Sequence, residues 1–404
     1  MIRHICKLVW NRKRINFLIT LEILISFLVI FAVIVQCVYY TDNYRQPLGF
    51  DYQNVWNVEI GRIEPSGSAQ AEERPQVLER MRRVLAAAGE FNEVESVAGA
   101  EFTPYSPGSS NICTDSHGSV ICFYPNKVTD DFKETMKLNL LQGRWFSKED
   151  DGASYKPVVI NRKMARDRFG DADPIGKSLY DPNPNDKKFV ENRVIGVIDD
   201  FRKEGEFDIL WGYVFSRNNL VPSSGAPFNR LAIRVHPGTA AAFEEKLLER
   251  LQAEARDWSF KIKPIAEMRE EVLRETMVPM IAFALIAAFL MIMVALGLTG
   301  VLWQNVTQRT KEIGLRRAKG ATKKQIYKQI LGELLVITTA GLIVGALIVI
   351  QFPLLNLLGY ASTKVYTLSI VISLALIYLM TIICGLYPSL LATRVYPSEA
   401  LHYD

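Results

Sequence analysis

The side chains that most often carry out catalysis occur here without the spacing that catalysis needs. The sequence has four histidines, and it contains no HExxH motif, no GxSxG motif and no Cys-x-x-Cys pair. Those patterns would have indicated a metalloprotease, a serine hydrolase or a redox centre. Asp199 and Asp200 could form an acid/base pair, although neighbouring carboxylates on an acidic domain are more often solvated. We therefore predict no catalytic residue and no metal site.

One segment is superficially similar to a nucleotide-binding loop. It has the sequence GDADPIGKS and covers residues 170–178. Five residues separate Gly170 from Gly176, whereas a phosphate-binding loop requires four. Pro174 also lacks the backbone N–H that would face a phosphate. We interpret this segment as a turn, and we predict that the chain binds no cofactor directly.

Four apolar stretches are long enough to cross a bilayer, which takes roughly 20 residues of helix. The stretches are 17–39, 278–303, 330–351 and 367–391. The first is too long for the apolar part of a signal peptide, and no small-residue cleavage site follows it. We therefore interpret it as a retained anchor. Because the chain is 49% hydrophobic and 22% charged, a purely soluble enzyme is disfavoured.

Two kinds of residue within these stretches are candidates for special roles. Gly341 and Gly345 have the spacing of small residues that lets helices approach closely, within one chain or across a dimer. Glu22 and Glu333 are acids just inside the predicted boundaries. Intramembrane acids are functional candidates, but at that depth they can also reach the interface or contact an arginine of a loop.

Positive charges predict the orientation of the spans, because Lys and Arg flank spans on the cytoplasmic side. Five bases lie in 1–16 and eight in 304–329, whereas 352–366 contains one. The first two segments and the tail 392–404 are therefore predicted to be cytoplasmic. Residues 40–276 are predicted to lie outside with a net charge near −6, and this acidity argues against nucleic-acid binding.

The outer region, 40–276, has the pattern of an α/β fold at both of its ends. Strand-like segments at Val55–Ile60 and Val94–Ala98 flank an amphipathic helix, and the same order recurs around Arg230–Val235 and Ser259–Lys263. The predicted boundaries are 50–105 and 228–275 for two β-α-β units and 106–227 for an insertion between them. The fold class predicted is thus an α-helical membrane protein with four transmembrane helices and a large extracytoplasmic α+β domain.

Two cysteines of the insertion lie in a compartment where thiols can be oxidised. Cys113 and Cys122 are separated by the loop TDSHGSVI. A disulfide between them is one interpretation, and two unpaired small hydrophobic side chains are the other. The spacing leaves both open.

The connection between the second and third spans, 304–329, is the most informative part of the sequence. Helical spacing from Val306 to Arg317 predicts a short amphipathic helix, and Gly320 predicts its end. Thr322 and Gln325 predict a capping box that begins the next helix. Two helices joined at the membrane face are suited to receive a push from a cytoplasmic partner. Topology and lipid contact alone would explain the bases, but they would leave the acid and the glycines unexplained.

The sequence RTKEIGLRRAKGAT, residues 309–322, resembles the signature loop of FtsX-like ABC transporter permeases of the MacB type. Segments VVIN (158–161), PIGK (174–177) and VIGV (194–197) resemble the periplasmic core domain of that family, and ATRVYPSEAL (392–401) resembles its usual ending. The resemblance covers nearly the whole chain. One span, a large outer domain and three further spans is also the order found in that family.

The resemblance implies a permease without its own motor. The outer domain would divide into a porter-like part, formed by the two β-α-β units, and a sabre-like insertion. Because only sixteen residues precede the first span, we expect the ATPase that binds ATP and Mg to be a separate cytoplasmic polypeptide. The coupling loop lodged on that ATPase would consist of Arg309, Thr310, Lys311, Glu312, Ile313, Gly314, Arg316, Arg317, Lys319 and Gly320.

The partners implied by the resemblance are this ABC ATPase and a second permease, either another copy or a paralogue. A periplasmic adaptor and an outer-membrane duct are compatible with it. We expect a bacterial inner-membrane protein with both termini in the cytoplasm. The leading function is export or extraction of a peptide, lipoprotein, lipid or drug by mechanotransmission, and the alternative is activation of an extracytoplasmic enzyme such as a cell-wall hydrolase. A third possibility is a tethered enzyme or receptor without a motor, and the loop from Glu312 to Gly320 counts against it.

Overall fold

The computed structural model describes residues 13–62, 74–116, 119–180, 190–221, 225–308, 310–355 and 362–393. Within these ranges the chain forms two compact units, one built from residues up to Asp42 and from Met277 onward, and the other from Asn43–Thr276. Arg309, most of the segment 1–16, part of the loop 352–366 and almost all of the tail 392–404 lie outside the described residues.

The first unit is helical. Four of its helices are long and apolar enough to cross a membrane. Three of them contain a predicted span whole (17–39, 278–303 and 367–391), whereas the predicted span 330–351 extends past its helix, which ends at Val349. An α-helix pairs its backbone N–H and C=O groups within itself, as a bilayer requires. The helices are α1 (Lys13–Tyr44), α6 (Ile265–Gln308), α7 (Thr310–Ala318), α8 (Lys323–Val349), α9 (Gln351–Leu354) and α10 (Thr363–Thr393). The last two residues of α1 and residues 265–276 of α6 belong to the second unit.

The membrane helices α1, α8 and α10 share one apolar cluster. It includes Phe27 and Ile23 of α1, Ile337 of α8 and Ile377 of α10, and each of these side chains is at least 94% buried. α6 adds only partly buried residues to this cluster. Apolar packing among three helices therefore organises the unit, and α6 leaves most of its apolar surface uncovered.

The second unit is a mixed sheet covered by helices. The helices are α2 (Arg74–Ala88), α3 (Phe132–Met136), α4 (Arg162–Phe169) and α5 (Phe243–Glu254). The strands are β1 (Val55–Arg62), β2 (Val94–Ala100), β3 (Ile112–Ser116), β4 (Ser119–Val128), β5 (Leu140–Gly143), β6 (Lys156–Asn161), β7 (Asn192–Ile198), β8 (Gly212–Arg217), β9 (Arg230–Val235) and β10 (Trp258–Pro264). They are ordered β10-β1-β9-β2-β4-β8-β6-β7-β5, and β3 pairs with β4.

The two predicted β-α-β units interleave in this sheet. β9 lies between β1 and β2 and is antiparallel to both, and β10 is antiparallel to β1. α2 and α5 cover this half and bury Leu78, Met81 and Leu247 against it. The result is a split β-α-β arrangement in which each unit completes the sheet of the other.

The residues of the predicted insertion continue the same sheet. β2 meets β4 at Ala100 and Val128, and a shared core around the fully buried Phe201 includes Ala98 and Ile265 from the flanking parts. The boundaries 50–105, 106–227 and 228–275 remain a prediction, and the structure adds that strands from all three segments join one sheet.

Candidate functional site

The described part of the predicted coupling segment is helical from Thr310 onward. Val306, where the sequence placed the start of this helix, lies instead in α6, and Arg309 lies outside the described residues. α7 covers Thr310–Ala318, and Gly320 follows it with a φ of +91°. This left-handed conformation favours glycine after a helix end. The N–H of Ala321 donates to the carbonyl of Arg316 at 3.0 Å and closes the last turn. The predicted helix end at Gly320 is confirmed.

The helix that follows begins with the predicted capping box. The hydroxyl of Thr322 accepts a hydrogen bond from the N–H of Gln325 at 3.3 Å, and the side chain of Gln325 accepts one from the N–H of Thr322 at 2.9 Å. These bonds satisfy backbone donors that a helix start leaves free. A turn of residues 319–322 therefore joins two helices with well-defined ends.

An apolar cluster packs α7 on the first turns of α8. Ile313 is 6% exposed and Ile326 is 4% exposed, and Ala321 and Ile330 pack against them. Gly314 is buried beside Ile313. Because Ile326 and Ile330 are four residues apart, they lie on one face of α8. This contact fixes the short helix to the start of the long one.

A line of polar contacts runs parallel to the apolar cluster. The guanidinium of Arg316 donates to Oε1 of Gln329 at 2.5 Å, and Nε2 of Gln329 donates to Oε1 of Glu333 at 3.0 Å. Glu333 is 8% exposed. Hydrogen bonds to charged groups are the stronger ones, so Gln329 links a base of α7 to an acid one turn further along α8.

The remaining described surface of this element faces away from α8. Leu315 is 51% exposed. Ala318, Lys319 and Gly320 are exposed as well. One side of α7 therefore packs against α8, and the exposed surface presents an apolar residue, Leu315, and a base, Lys319. The predicted residues Thr310, Lys311, Glu312 and Arg317 lie on α7.

The two glycines of the third span lie where α8 crosses α1. A Cβ added to Gly341 would come within 3.2 Å of the carbonyl oxygen of Thr20, and one added to Gly345 would come within 2.5 Å of the Phe27 ring. A Cβ at Gly345 would therefore require the Phe27 side chain or the helix to shift, whereas at Gly341 a displacement of a few tenths of an ångström would be enough. In the structure the glycine spacing thus serves packing inside the chain, one of the two options that the sequence left open.

The other candidates lie apart from this site. Glu22 of α1 packs against the backbone of Gly297 in α6, where it leaves no room for a Cβ. Cys113 and Cys122 face each other across the β3–β4 pair and are joined by a disulfide. Among the described residues no group of three or more His, Cys, Asp or Glu side chains is arranged to hold a metal ion.

Sequence reasoning did not single out Gln329 and Ile326, which complete the site. The signal was present, because Gln329 lies four residues before Glu333 and such pairs meet on a helix surface. The role of Gln329 became clear only from the fold, which places Arg316 next to it. The spacing of thirteen residues between them spans two helices and a turn, so no helical period indicates it.

Comparisons with known proteins agree with this architecture. Residues 18–250 match the family described as the MacB-like periplasmic core domain, and residues 284–397 match the FtsX-like permease C-terminal family. A macrolide export ATP-binding/permease protein MacB of Bdellovibrio bacteriovorus is 29% identical over 65% of this chain and 41% of its own length. The permease YvrN of Bacillus subtilis is 27% identical over 69% of each chain.

The periplasmic region of MacB from Actinobacillus actinomycetemcomitans superimposes with a TM-score of 0.38 at 17% identity, covering 55% of this chain and 94% of that one. The chain spans about two fifths of the length of the MacB proteins that it matches, whereas it spans 69% of YvrN.

Proposed function

This chain belongs to the family of FtsX-like ABC transporter permeases with a MacB-like periplasmic core domain, and from that premise we propose that a separate cytoplasmic ATPase drives movements of its second unit. We call that unit, Asn43–Thr276, the outer unit. The permease would take no part in the hydrolysis itself. ATP and Mg would be bound by the ATPase, and this chain would receive the resulting movement. A second copy or a paralogue would complete the permease pair.

The observation that supports this proposal most directly is the two-sided construction of α7. Its inner side is held by the Ile313–Ile326 contact and by the bonds from Arg316 to Gln329 and on to Glu333. Its outer side presents Leu315. A helical segment that is packed on a membrane helix on one side and exposed on the other can pass on a displacement, because packed helices move as rigid elements.

The function that we expect is export or extraction of a peptide, lipoprotein, lipid or drug from the membrane or periplasm. Two relatives have names that specify macrolide and pyoverdine export, and those names describe those proteins. Mechanotransmission would not require a tunnel through the membrane unit. Activation of an extracytoplasmic enzyme would use the same movement without a transported substrate.

Co-purification tests the proposal. The tagged full-length chain is solubilised in mild detergent with nucleotide, and bound proteins are identified by mass spectrometry. We expect an ABC ATPase with the wild-type chain. Leu315→Asp should reduce its recovery by about tenfold, because loss of one good interface contact of about 1.4 kcal/mol has that effect. Val120→Asp is the matched control, since Val120 is 72% exposed in the outer unit.

Each outcome has a clear meaning. Loss of the ATPase with Leu315→Asp and retention with Val120→Asp supports the coupling role of α7. Equal recovery with both variants contradicts that role while leaving the ATPase partnership intact. A folded wild-type chain that captures no ABC ATPase contradicts the proposal as a whole and favours a receptor or tethered enzyme without a motor.

A further inference from the structure

One loop of the outer unit contacts both segments through which the chain enters and leaves that unit. The loop is formed by residues 202–208, between β7 and β8. The incoming segment, residues 43–52, follows the boundary at Asn43, and the outgoing segment, residues 265–276, ends at the boundary at Thr276. The first residues of the incoming segment belong to α1, and the whole outgoing segment belongs to α6.

Arg202 makes the contact with the incoming segment. Its backbone N–H donates to the carbonyl of Leu48 at 3.0 Å, and its guanidinium donates to Oε1 of Gln46 at 2.5 Å. The ring of Phe207 stacks on that of Tyr44 with centroids 5.9 Å apart. Arg202 is only 3% exposed, so its charge has been removed from water and depends on these acceptors.

Glu206 makes the contact with the outgoing segment. Its Oε1 accepts hydrogen bonds from Nε of Arg269 at 2.7 Å and from a terminal nitrogen of the same guanidinium at 2.5 Å. The two side chains are 6% and 18% exposed. The hydroxyl of Tyr105 donates to Oε2 of Glu206 at 3.4 Å, and burial, followed by the charge of Glu206, raises the pKa of Tyr105. Tyr105 therefore stays protonated and remains a donor.

The loop is built to keep these two contacts together. The guanidinium of Arg202 also donates to the carbonyls of Glu206 at 3.3 Å and Asp208 at 3.4 Å. Gly205 has a φ of +97°, and a Cβ there would come within 2.6 Å of the Tyr105 ring. The preceding Phe201 is fully buried. One arginine thus organises the turn that carries the glutamate.

We propose that the 202–208 loop is a clasp that holds the incoming and outgoing segments at a fixed separation, with Glu206 and Arg202 as its positioning residues. The inference rests on the proposed function, because a clasp matters only if movement reaches the outer unit through these two segments. With the clasp closed, both segments would move together. With the clasp open, the two segments would move independently, and only part of their movement would be passed on to the outer unit.

Pulsed electron paramagnetic resonance on the full-length chain in lipid nanodiscs tests the clasp. Spin labels are placed at the exposed positions Arg45 and Glu270, in a chain whose Cys6, Cys37 and Cys384 are replaced by Ser. We expect a narrow distance distribution in the wild-type chain. Glu206→Gln should broaden it about twofold, since loss of a charged hydrogen-bond partner increases local opening.

Two further variants separate a clasp from a general loss of stability. Asp130→Asn is the matched control, because Asp130 accepts two hydrogen bonds from the mostly buried Arg217 elsewhere in the same unit. It should leave the distribution narrow. Glu206→Arg combined with Arg269→Glu should restore a narrow distribution if the pair acts as a clasp. If Glu206→Gln folds poorly, this double variant still tests whether the ion pair sets the width of the distribution.

The result that would overturn the clasp is an unchanged distribution in Glu206→Gln, or equal broadening in Asp130→Asn. A second measurement uses the complex with its captured ATPase, trapped with ATP and vanadate. The clasp predicts that the wild-type distance between Arg45 and Glu270 stays the same in the trapped state and that Glu206→Gln broadens it further. Failure to capture an ATPase would count against the proposed function, and the nucleotide-free measurement would still decide the clasp.

Discussion

Gln329 is the residue through which the short helix α7 is connected to a buried acid. It accepts from Arg316 and donates to Glu333 with the same side-chain amide. Replacement by Leu keeps the size and apolar packing but removes both bonds. We expect Gln329→Leu to increase the equilibrium constant for opening of α7 about thirtyfold, since each of the two hydrogen bonds contributes roughly 1 kcal/mol.

Amide hydrogen exchange across 310–318 measures this change. Gln304→Leu is the control, because Gln304 is exposed on α6 and the substitution is chemically the same. Exchange that is equal in the two variants would mean that the apolar contact around Ile313 alone holds α7 in place.

Asp208 carries a buried carboxylate oxygen without a hydrogen-bond partner in the described structure. The pKa of Asp208 is raised to about 6, chiefly by burial and also by the charge of Glu204, although the backbone N–H of Ile209 and the charges of Lys203 and Arg202 lower it. The ordinary value is 3.8, so the folded state binds a proton more tightly than the unfolded state. The stability of the outer unit should therefore fall as the pH rises from about 4 to about 6, and remain lower above that.

Asp208→Asn removes this charge. Allowing for partial solvent screening, we expect the variant to be more stable by on the order of 1 kcal/mol at pH 8, or a melting temperature about 2–4 °C higher. At pH 4 the difference should vanish, because the wild-type carboxyl is then protonated. Thermal unfolding of the full-length chain at both pH values checks this, with the exposed Asp171→Asn as control. A gain of the same size at both pH values would contradict the role of charge.

Side-chain contacts could be predicted from the sequence only where a local spacing pattern indicated them. Thr322 and Gln325 have the spacing of a capping box, and the structure forms that box. Arg202 and Glu206 lack any such signal, because their partners Gln46 and Arg269 are 156 and 63 residues away. A buried ion pair between distant segments leaves no periodic trace in a sequence.

At the scale of elements, the packing of α8 on α1 depends on two positions without side chains. Gly345 is the tighter of them, since a Cβ would come within 2.5 Å of the Phe27 ring. Gly345→Val should force the helices apart and destabilise the membrane unit by about 1–3 kcal/mol, the usual cost of overpacking. The matched control is Gly300→Val, because nothing lies within 4 Å of a Cβ at Gly300.

Thermal unfolding of the chain in detergent distinguishes the two valine variants. A lower melting temperature for Gly345→Val alone supports packing within the chain. Equal melting temperatures combined with loss of self-association in Gly345→Val would instead place this glycine at a contact between two copies.

Elements were easier to predict than their pairing. The four spans and the strand-helix-strand order at both ends of the outer region follow from hydrophobic periodicity, which is local. The interleaving of β9 between β1 and β2 does not, because Trp56 pairs with Ile233 across most of the unit. For the same reason the sequence did not indicate that the strands of the insertion join the sheet of the flanking units. Sheet pairing over such distances is fixed by the core and not by the local pattern.

At the scale of the whole molecule, the distribution of charge makes a prediction about orientation. The connection 304–329 contains eight bases, whereas the outer unit is acidic. The positive-inside rule then places Lys319 in the cytoplasm and Ser110 outside. Both residues are exposed, so a cysteine at either position is accessible to a reagent on its own side of the membrane.

Labelling of cells with a permeabilised outer envelope tests this orientation. The chains carry Lys319→Cys or Ser110→Cys in a background without Cys6, Cys37 and Cys384, and the reagent is a maleimide that does not cross membranes. While the inner membrane is intact, we expect Ser110→Cys to react at least about tenfold faster than Lys319→Cys, because a bilayer excludes a charged reagent from the inner side. After lysis both should react alike, which controls for intrinsic reactivity. Faster labelling of Lys319→Cys in intact cells would reverse the orientation and place α7 on the side of the membrane where no ATPase could reach it.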